Sequence, residues 1–146
     1  MKIFVTGGGG FIGSNFITKM KDEHEIVCFG HNTNYQDLKK IFGKNVSLIE
    51  GDITDRDAVN GAMKGSDAVA HFAGPAGNNA CMKDSAKATL SHAVGTHVVL
   101  REAIANGVEK FLFASTQSVY TTYKKRPIPF TEDITLEPDD LYGALK

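Results

Sequence analysis

A chain of 146 residues, 42% hydrophobic and 23% charged with a net charge of −1, carries enough apolar material for one domain with a real core. Acids and bases are interspersed, which excludes the clustered basic face that grips nucleic acid, and no apolar run approaches the roughly 18 residues that span a bilayer. The two cysteines, Cys28 and Cys81, are too few for a disulfide framework and lack the Cys/His spacing of zinc, so no metal site is expected.

In chain order, Lys2–Thr6 (KIFVT) is a compact β-rich run leading into Gly7–Gly10. The start therefore reads as a strand feeding a glycine loop, without the regions of a signal peptide. With unpaired thiols expected, the cytoplasm is the expected compartment. Phe11, Ile12, Phe16, Ile17 and Met20 recur at helical spacing, predicting a helix from about Gly10 to Lys21. Glu25–Phe29 is the second strand, with Cys28 in it, and Tyr35–Phe42 a short helix. Val46–Glu50 is the third strand, after which Thr54 or Asp55 can cap a helix that Gly65 ends. Asp67–Phe72 is the fourth strand, and Gly74–Asn79 a loop. Cys81 falls at the end of that loop, before one long helix expected from Met82 to Ala105. Lys110–Ser115 is the fifth strand, Tyr123–Pro138 a surface loop, and Asp139 or Asp140 the cap of a last helix that has only begun at Lys146. Strands alternating with helices, most strands apolar on both faces, predict an α/β, doubly wound parallel sheet with helices on both faces.

The segment Thr6-Gly-Gly-Gly-Gly-Phe-Ile-Gly13 follows a strand and opens a helix. In that context Gly7 permits a tight turn, Gly10 lets backbone approach a pyrophosphate, and Gly13 lets the helix pack closely on the sheet. The helix mouth offers unpaired N–H groups and a positive dipole end to phosphates. This segment resembles the TGxxGFIG fingerprint of the extended short-chain dehydrogenase/reductases, the group that includes nucleotide-sugar epimerases and dehydratases. Further matches follow in the family's order: Gly51-Asp52-Ile53-Thr54-Asp55 resembles GDxxD, His71-Phe72-Ala73-Gly74 its HFAG segment, and Gly95-Thr96 its GT. The resemblance implies a Rossmann-type NAD(P)-binding domain over residues 1–146. It also implies cofactor contacts from Gly7, Gly10, Phe11, Ile12, Gly13, Asp52, Ile53, Phe72, Ala73, Gly74 and Ser115. Asp52 would meet the adenine amino group, with a plain turn cap as the alternative. For His71 a structural role is favoured over chemistry.

NAD-binding members end the second strand with an acid for the ribose 2′-OH, about 20 residues past the fingerprint. Here that place is Gly30, in Phe29-Gly30-His31-Asn32. Its missing carboxylate tips the expectation slightly toward NADP over NAD, with His31 and Asn32 as contacts. Tyr142-Gly-Ala-Leu-Lys146 is YxxxK, whose ends share a helix face. A phenol titrates near 10, so acting as a base near neutrality needs a drop of ~3 units, or ~4 kcal/mol. A neighbouring ammonium and the positive nicotinamide of the oxidised cofactor favour the phenolate. The resemblance makes Tyr142, Lys146 and Thr116 the catalytic set, with Ser115 and Ser118 as competitors for the Thr116 place; Tyr142 and Lys146 would also bind cofactor. Two departures stand out: His92 occupies the family's asparagine position in NxxGT, and Val119-Tyr120-Thr121 lacks the glycine of VYG.

The resemblance implies hydride exchange between nicotinamide and a substrate hydroxyl or carbonyl, with a nucleotide sugar as substrate and a homodimer possible for the assembly. Alternatives are an NADP-dependent carbonyl or hydroxysteroid-type reductase, a non-catalytic dinucleotide-sensing module, or a flavin reductase. The family's C-terminal strands and substrate region would follow Lys146, so the expectation is a domain incomplete at that end and inactive alone.

Overall fold

The alternation seen in the sequence becomes five parallel strands in the computed structural model, which describes residues 1–31, 35–120 and 129–146. The strands are β1 (Lys2–Thr6), β2 (Glu25–Gly30), β3 (Val46–Glu50), β4 (Ala68–His71) and β5 (Lys110–Phe113). Their spatial order is β3-β2-β1-β4-β5. The chain winds outward from β1 to β3, then returns to the other side of β1 with β4. A crevice forms at such a reversal, outside the carboxyl ends of the strands. Register brings those ends level: Thr6 lies opposite Phe29 on one side and His71 on the other.

Period-two alternation splits the central strands between two cores. Ile3, Val5, Ile26 and Cys28 face α1 (Phe11–Met20) and α2 (Tyr35–Phe42), packing with Ile17, Leu38 and Phe42. Phe4, Val27, Phe29 and Val69 face the opposite way, onto Val59 and Met63 of α3 (Arg56–Met63) and Val99 and Ala103 of α6 (Thr96–Ala105). Each such side chain stabilises the fold by ~1.5–3 kcal/mol when fully buried, and helices on both faces explain why these strands read as continuous apolar runs. β5 has a less covered surface, with Leu112 half exposed.

The expected helix from Met82 to Ala105 is not continuous. It divides into α4 (Asn78–Lys83), α5 (Ser85–Thr89), a π-helical stretch (Leu90–Gly95) and α6. Asp84 makes the break: its backbone leaves the helical region (φ −147°, ψ 82°) and its carboxylate caps α5 by accepting the Lys87 N–H. Short acidic side chains compete with the helix ladder in this way. The helix begins earlier than expected, at Asn78, so Cys81 is a buried helical residue rather than a loop one; both thiols are free. Asp55 is the cap of α3, and Asp140 the cap of α7 (Leu141–Ala144). The first part of the expected Tyr123–Pro138 loop lies outside the described residues; the part that is described contains no helix or strand and is mostly exposed.

Candidate functional site

The junction of β1 and α1 is built from backbone. Gly7 adopts φ 68°, a left-handed conformation natural to glycine, and its carbonyl accepts the Gly10 N–H at 3.0 Å to close the turn. A Cβ on Gly13 would collide with that same Gly7 carbonyl, and one on Gly8 with Cys28 and Ile17. α1 starts at Phe11 with no side-chain cap and no acid in its first turn. Its leading N–H groups therefore have no intrahelical acceptor, and the positive end of its dipole is left to an outside anion. Phe11 and Ile12 stand at this mouth, 87% and 61% exposed.

A cleft of about 500 Å³ opens here across the carboxyl ends of β1 to β4. Its floor is the glycine loop, including Gly7 and Gly10; one wall carries Gly30 and His31, another Asp52 and Ile53, and a third Phe72, Ala73 and Gly74. The cleft is large enough for an extended ligand, within the usual range for small-molecule sites. Asp52 Oδ1 accepts both the N–H and O–H of Thr54 at 2.8 Å, while Oδ2 lies 3.5 Å from His31 Nε2. The Thr54 N–H above all, with His31 and Lys87 assisting, holds the Asp52 carboxyl below the ordinary aspartate value. Asp52 thus caps a turn and lines the cleft. Asn32 lies outside the described residues.

His71 is buried beneath the cleft, its Nδ1 2.5 Å from Thr6 Oγ1 and its Nε2 2.9 Å from Thr96 Oγ1. Burial, reinforced by the nearby Lys146, pushes its pKa down to about 4. This is the environment of a structural pin, matching the favoured reading. Gly95-Thr96 gains a physical meaning too: Thr96 meets His71, and the bare Gly95 lets the helix lie against Ile53.

α7 packs on the short 3₁₀ turn Gln117–Val119 and on α4. Bare Gly143 makes the approach possible, since a Cβ there would run into the Ser118 carbonyl. Lys146 Nζ sits 4.7 Å from the Phe113 ring centre, and Ser115 Oγ reaches the Lys146 carbonyl at 3.4 Å. Burial lowers the Lys146 pKa, opposed by the Cys81 thiol. Thr116 Oγ1 accepts the Ser118 N–H at 3.3 Å, an oxygen engaged in capping that still keeps its own proton to donate. The Tyr142 ring lies edge-on to His92, with centroids 5.8 Å apart. His92 in turn bonds the carbonyl of Pro75, a cleft-lining residue. α7, which holds Tyr142 but ends at Ala144 short of Lys146, thus adjoins the cleft through His92.

Several lining residues escaped the sequence reading. Lys87 and Ser91 belonged to an unbroken expected helix with no periodic signal to mark them, yet both face the cleft because the helix is interrupted. The contact of His92 with Tyr142 spans fifty positions of chain, and only the known departure from asparagine pointed at it.

Comparison with known proteins agrees with this geometry. The chain is 32% identical to a dTDP-glucose 4,6-dehydratase of an Actinoplanes species, with 100% of this chain and 49% of the relative covered. It is also 32% identical to a UDP-glucose 4-epimerase of Bacillus subtilis, over 100% of this chain and 45% of that one. Among solved structures, a dTDP-glucose 4,6-dehydratase from Streptomyces venezuelae with NAD bound superposes with a TM-score of 0.88 at 28% identity, over 100% of this chain and 48% of that one. A UDP-glucose 4-epimerase from Thermotoga maritima gives 0.89 at 26% identity, with the same coverage. The chain therefore spans about half the length of these relatives. The family model for NAD dependent epimerases and dehydratases matches residues 3–146, and this chain, with its Rossmann-type sheet and glycine-floored cleft, belongs to the NAD dependent epimerase/dehydratase family.

Proposed function

We propose that this chain is the cofactor-holding portion of an enzyme that epimerises or dehydrates a nucleotide sugar through reversible hydride exchange. One observation carries the reading: the glycine-floored cleft at the β1–α1 junction adjoins, through Pro75 and His92, the short helix bearing Tyr142, with Lys146 just past its end. The amides at the α1 mouth suit a diphosphate, and bare Gly7, Gly8 and Gly13 let strand, turn and helix close on one another, since a Cβ on any of them would strike neighbouring protein atoms. On this reading Asp52 and Ile53 of the cleft wall meet the adenine end and Phe72 to Gly74 the middle of the dinucleotide, while Ser115, Tyr142 and Lys146, beyond the cleft lining, meet its nicotinamide end. When bound, the nicotinamide supplies the hydride acceptor and donor.

Tyr142 is proposed to take the proton from the substrate hydroxyl as hydride leaves, and to return it on reduction. Lys146, as an ammonium at the adjoining helix end, favours phenolate. Thr116, with its remaining proton, orients the reacting oxygen. In the whole enzyme, Tyr142→Phe is expected to cut turnover by at least 100-fold, a loss within the ~10²–10⁴ that acid–base catalysis contributes, while NADH affinity changes little. Full activity in that variant would remove Tyr142 from the mechanism. The expectation that residues 1–146 alone do not turn over substrate is tested by assaying that polypeptide with UDP-glucose and dTDP-glucose.

For the coenzyme, relatives crystallised with NAD favour NAD. Gly30, lacking the expected acid, is the one feature that favours NADP, and His31 is turned toward Asp52 rather than left for a 2′-phosphate alone. Parallel titrations with NADH and NADPH decide between them. Buried free thiols fit a reducing compartment such as the cytoplasm, and the exposed apolar side chains of Leu100 and Ile104 on α6 suit a homodimer.

A further inference from the structure

We propose that His92 is a positioning residue of this site: a neutral imidazole that ties the Gly74–Pro75 turn of the cleft wall to the helix carrying Tyr142. The proposal rests on the reading of Tyr142 as the proton carrier.

His92 lies within the π-helical stretch Leu90–Gly95 and is 3% exposed. A π-helical turn admits one more residue than an α-helical one and is concentrated at functional sites. Nε2 stands 2.9 Å from the Pro75 carbonyl oxygen. A carbonyl can only accept, so Nε2 carries the ring proton, and in the neutral ring Nδ1 is left with a lone pair. Nδ1 is buried without a partner among the described residues. On one side the ring packs against the bare Cα of Gly74, leaving no room for a Cβ there; on another it meets the Tyr142 ring at 5.8 Å and 64°. Gly74 and Pro75 both line the cleft. A single side chain therefore touches the wall that faces the ligand and the ring that is to move the proton.

Burial above all keeps the imidazole in this form. Burial lowers the His92 pKa, the Pro75 bond works in the opposite direction, and Lys146 lowers it again. A second proton would sit on Nδ1, which has no acceptor among the described residues. A ring that only filled space would differ in one respect: phenylalanine could replace it. Here loss of Nε2–H would strand the Pro75 carbonyl and release the ring from its tether, so Tyr142 would move as well.

Nuclear magnetic resonance of the chain reads this directly. There are four tyrosines and no tryptophan, so the Tyr142 ring signals are assigned by their loss in Tyr142→Phe. In the unmodified chain at neutral pH, long-range ¹H–¹⁵N spectra are expected to show His92 protonated at Nε2 and not at Nδ1, with cross-relaxation between the His92 and Tyr142 rings. His92→Phe keeps a ring and loses the donor, and is expected to displace both the Gly74 amide and the Tyr142 ring signals. His92→Gln, whose terminal amide can reach the same carbonyl, is expected to restore the Gly74 amide while leaving Tyr142 displaced. NADH affinity should fall in His92→Phe, where the Gly74 wall is displaced, and recover in His92→Gln, where it is restored. An Nδ1–H tautomer, or Tyr142 signals unmoved in a folded His92→Phe, overturns the proposal. If neither variant folds, the tautomer and the ring-to-ring cross-relaxation of the unmodified chain decide it. Failure of the unmodified chain to bind NADH would be a separate result, and would refute the reading of the cleft.

Discussion

The imidazole of His71 has lost its water and gained two threonine hydroxyls, and the loss of water dominates, so the ring is neutral in the folded chain down to about pH 4. Unfolded, the same ring takes a proton near 6.5. Between these values the unfolded chain binds more protons, so stability falls as the pH is lowered through that window and the loss is complete once the folded ring is also protonated. The full effect is ~3 kcal/mol. Urea denaturation from pH 7.5 to 4.5 is expected to show the decline, and His71→Gln to flatten it, with a remainder from His92, whose pKa burial also lowers. An unchanged slope in the variant would mean that another group carries it. Gly10 offers a different test at this scale. Its backbone conformation suits any residue (φ −79°, ψ 172°), and a Cβ would press only on the Gly7 carbonyl. Gly10→Val should therefore remain folded while weakening NADH binding at least tenfold, because the added side chain stands where the diphosphate must approach. Equal affinity would place the diphosphate elsewhere.

At the scale of elements, α3 and α6 are clasped by Glu102, a carboxylate with almost no exposure that accepts from Arg56 Nε at 2.7 Å and Asn60 Nδ2 at 2.5 Å. Removing one partner of such a cluster leaves the others unsatisfied. Glu102→Ala is expected to lower the thermal midpoint by several degrees without altering NADH affinity, since the clasp is remote from the glycine loop; a calorimetric scan and a binding titration check both halves. Elements whose identity depends on local pattern were legible in advance. The five strands and α1 to α3 follow from apolar runs, and the caps Asp55 and Asp140 are each one of two adjacent polar candidates, Thr54 or Asp55 and Asp139 or Asp140. The division of the expected Met82–Ala105 helix was not legible, because Ala86, Ala88 and Leu90 keep helical propensity across the break. Asp84 overrides them through one capping bond, and the π-helical stretch depends on packing that no short window contains. The candidate site divides on the same line: Gly7, Gly10, Asp52, Ile53 and Phe72 to Gly74 line the cleft as expected from contiguous motifs. Lys87, Ser91 and the His92–Tyr142 contact arise from how separate elements meet.

Taken whole, the molecule is a parallel sheet whose strand order reverses beside β1, which leaves a crevice exactly over the one turn made almost wholly of glycine. With a net charge of −1, attraction for an anion comes from the backbone at the mouth of α1. Among the described residues no helix is long and apolar enough to cross a membrane. Ile104, 70% exposed on α6, belongs to the apolar surface proposed for self-association, so Ile104→Arg is expected to lower the mass measured by light scattering from two chains to one. A single-chain mass in the unmodified protein would dismiss the dimer and leave the cleft unaffected. The account as a whole depends on that cleft. Isothermal titration of the folded chain with NAD and NADH should give saturable heat at one nucleotide per chain, lost in Gly10→Val; absence of heat with oxidised and reduced forms of both NAD and NADP, in a chain shown to be folded, would contradict it.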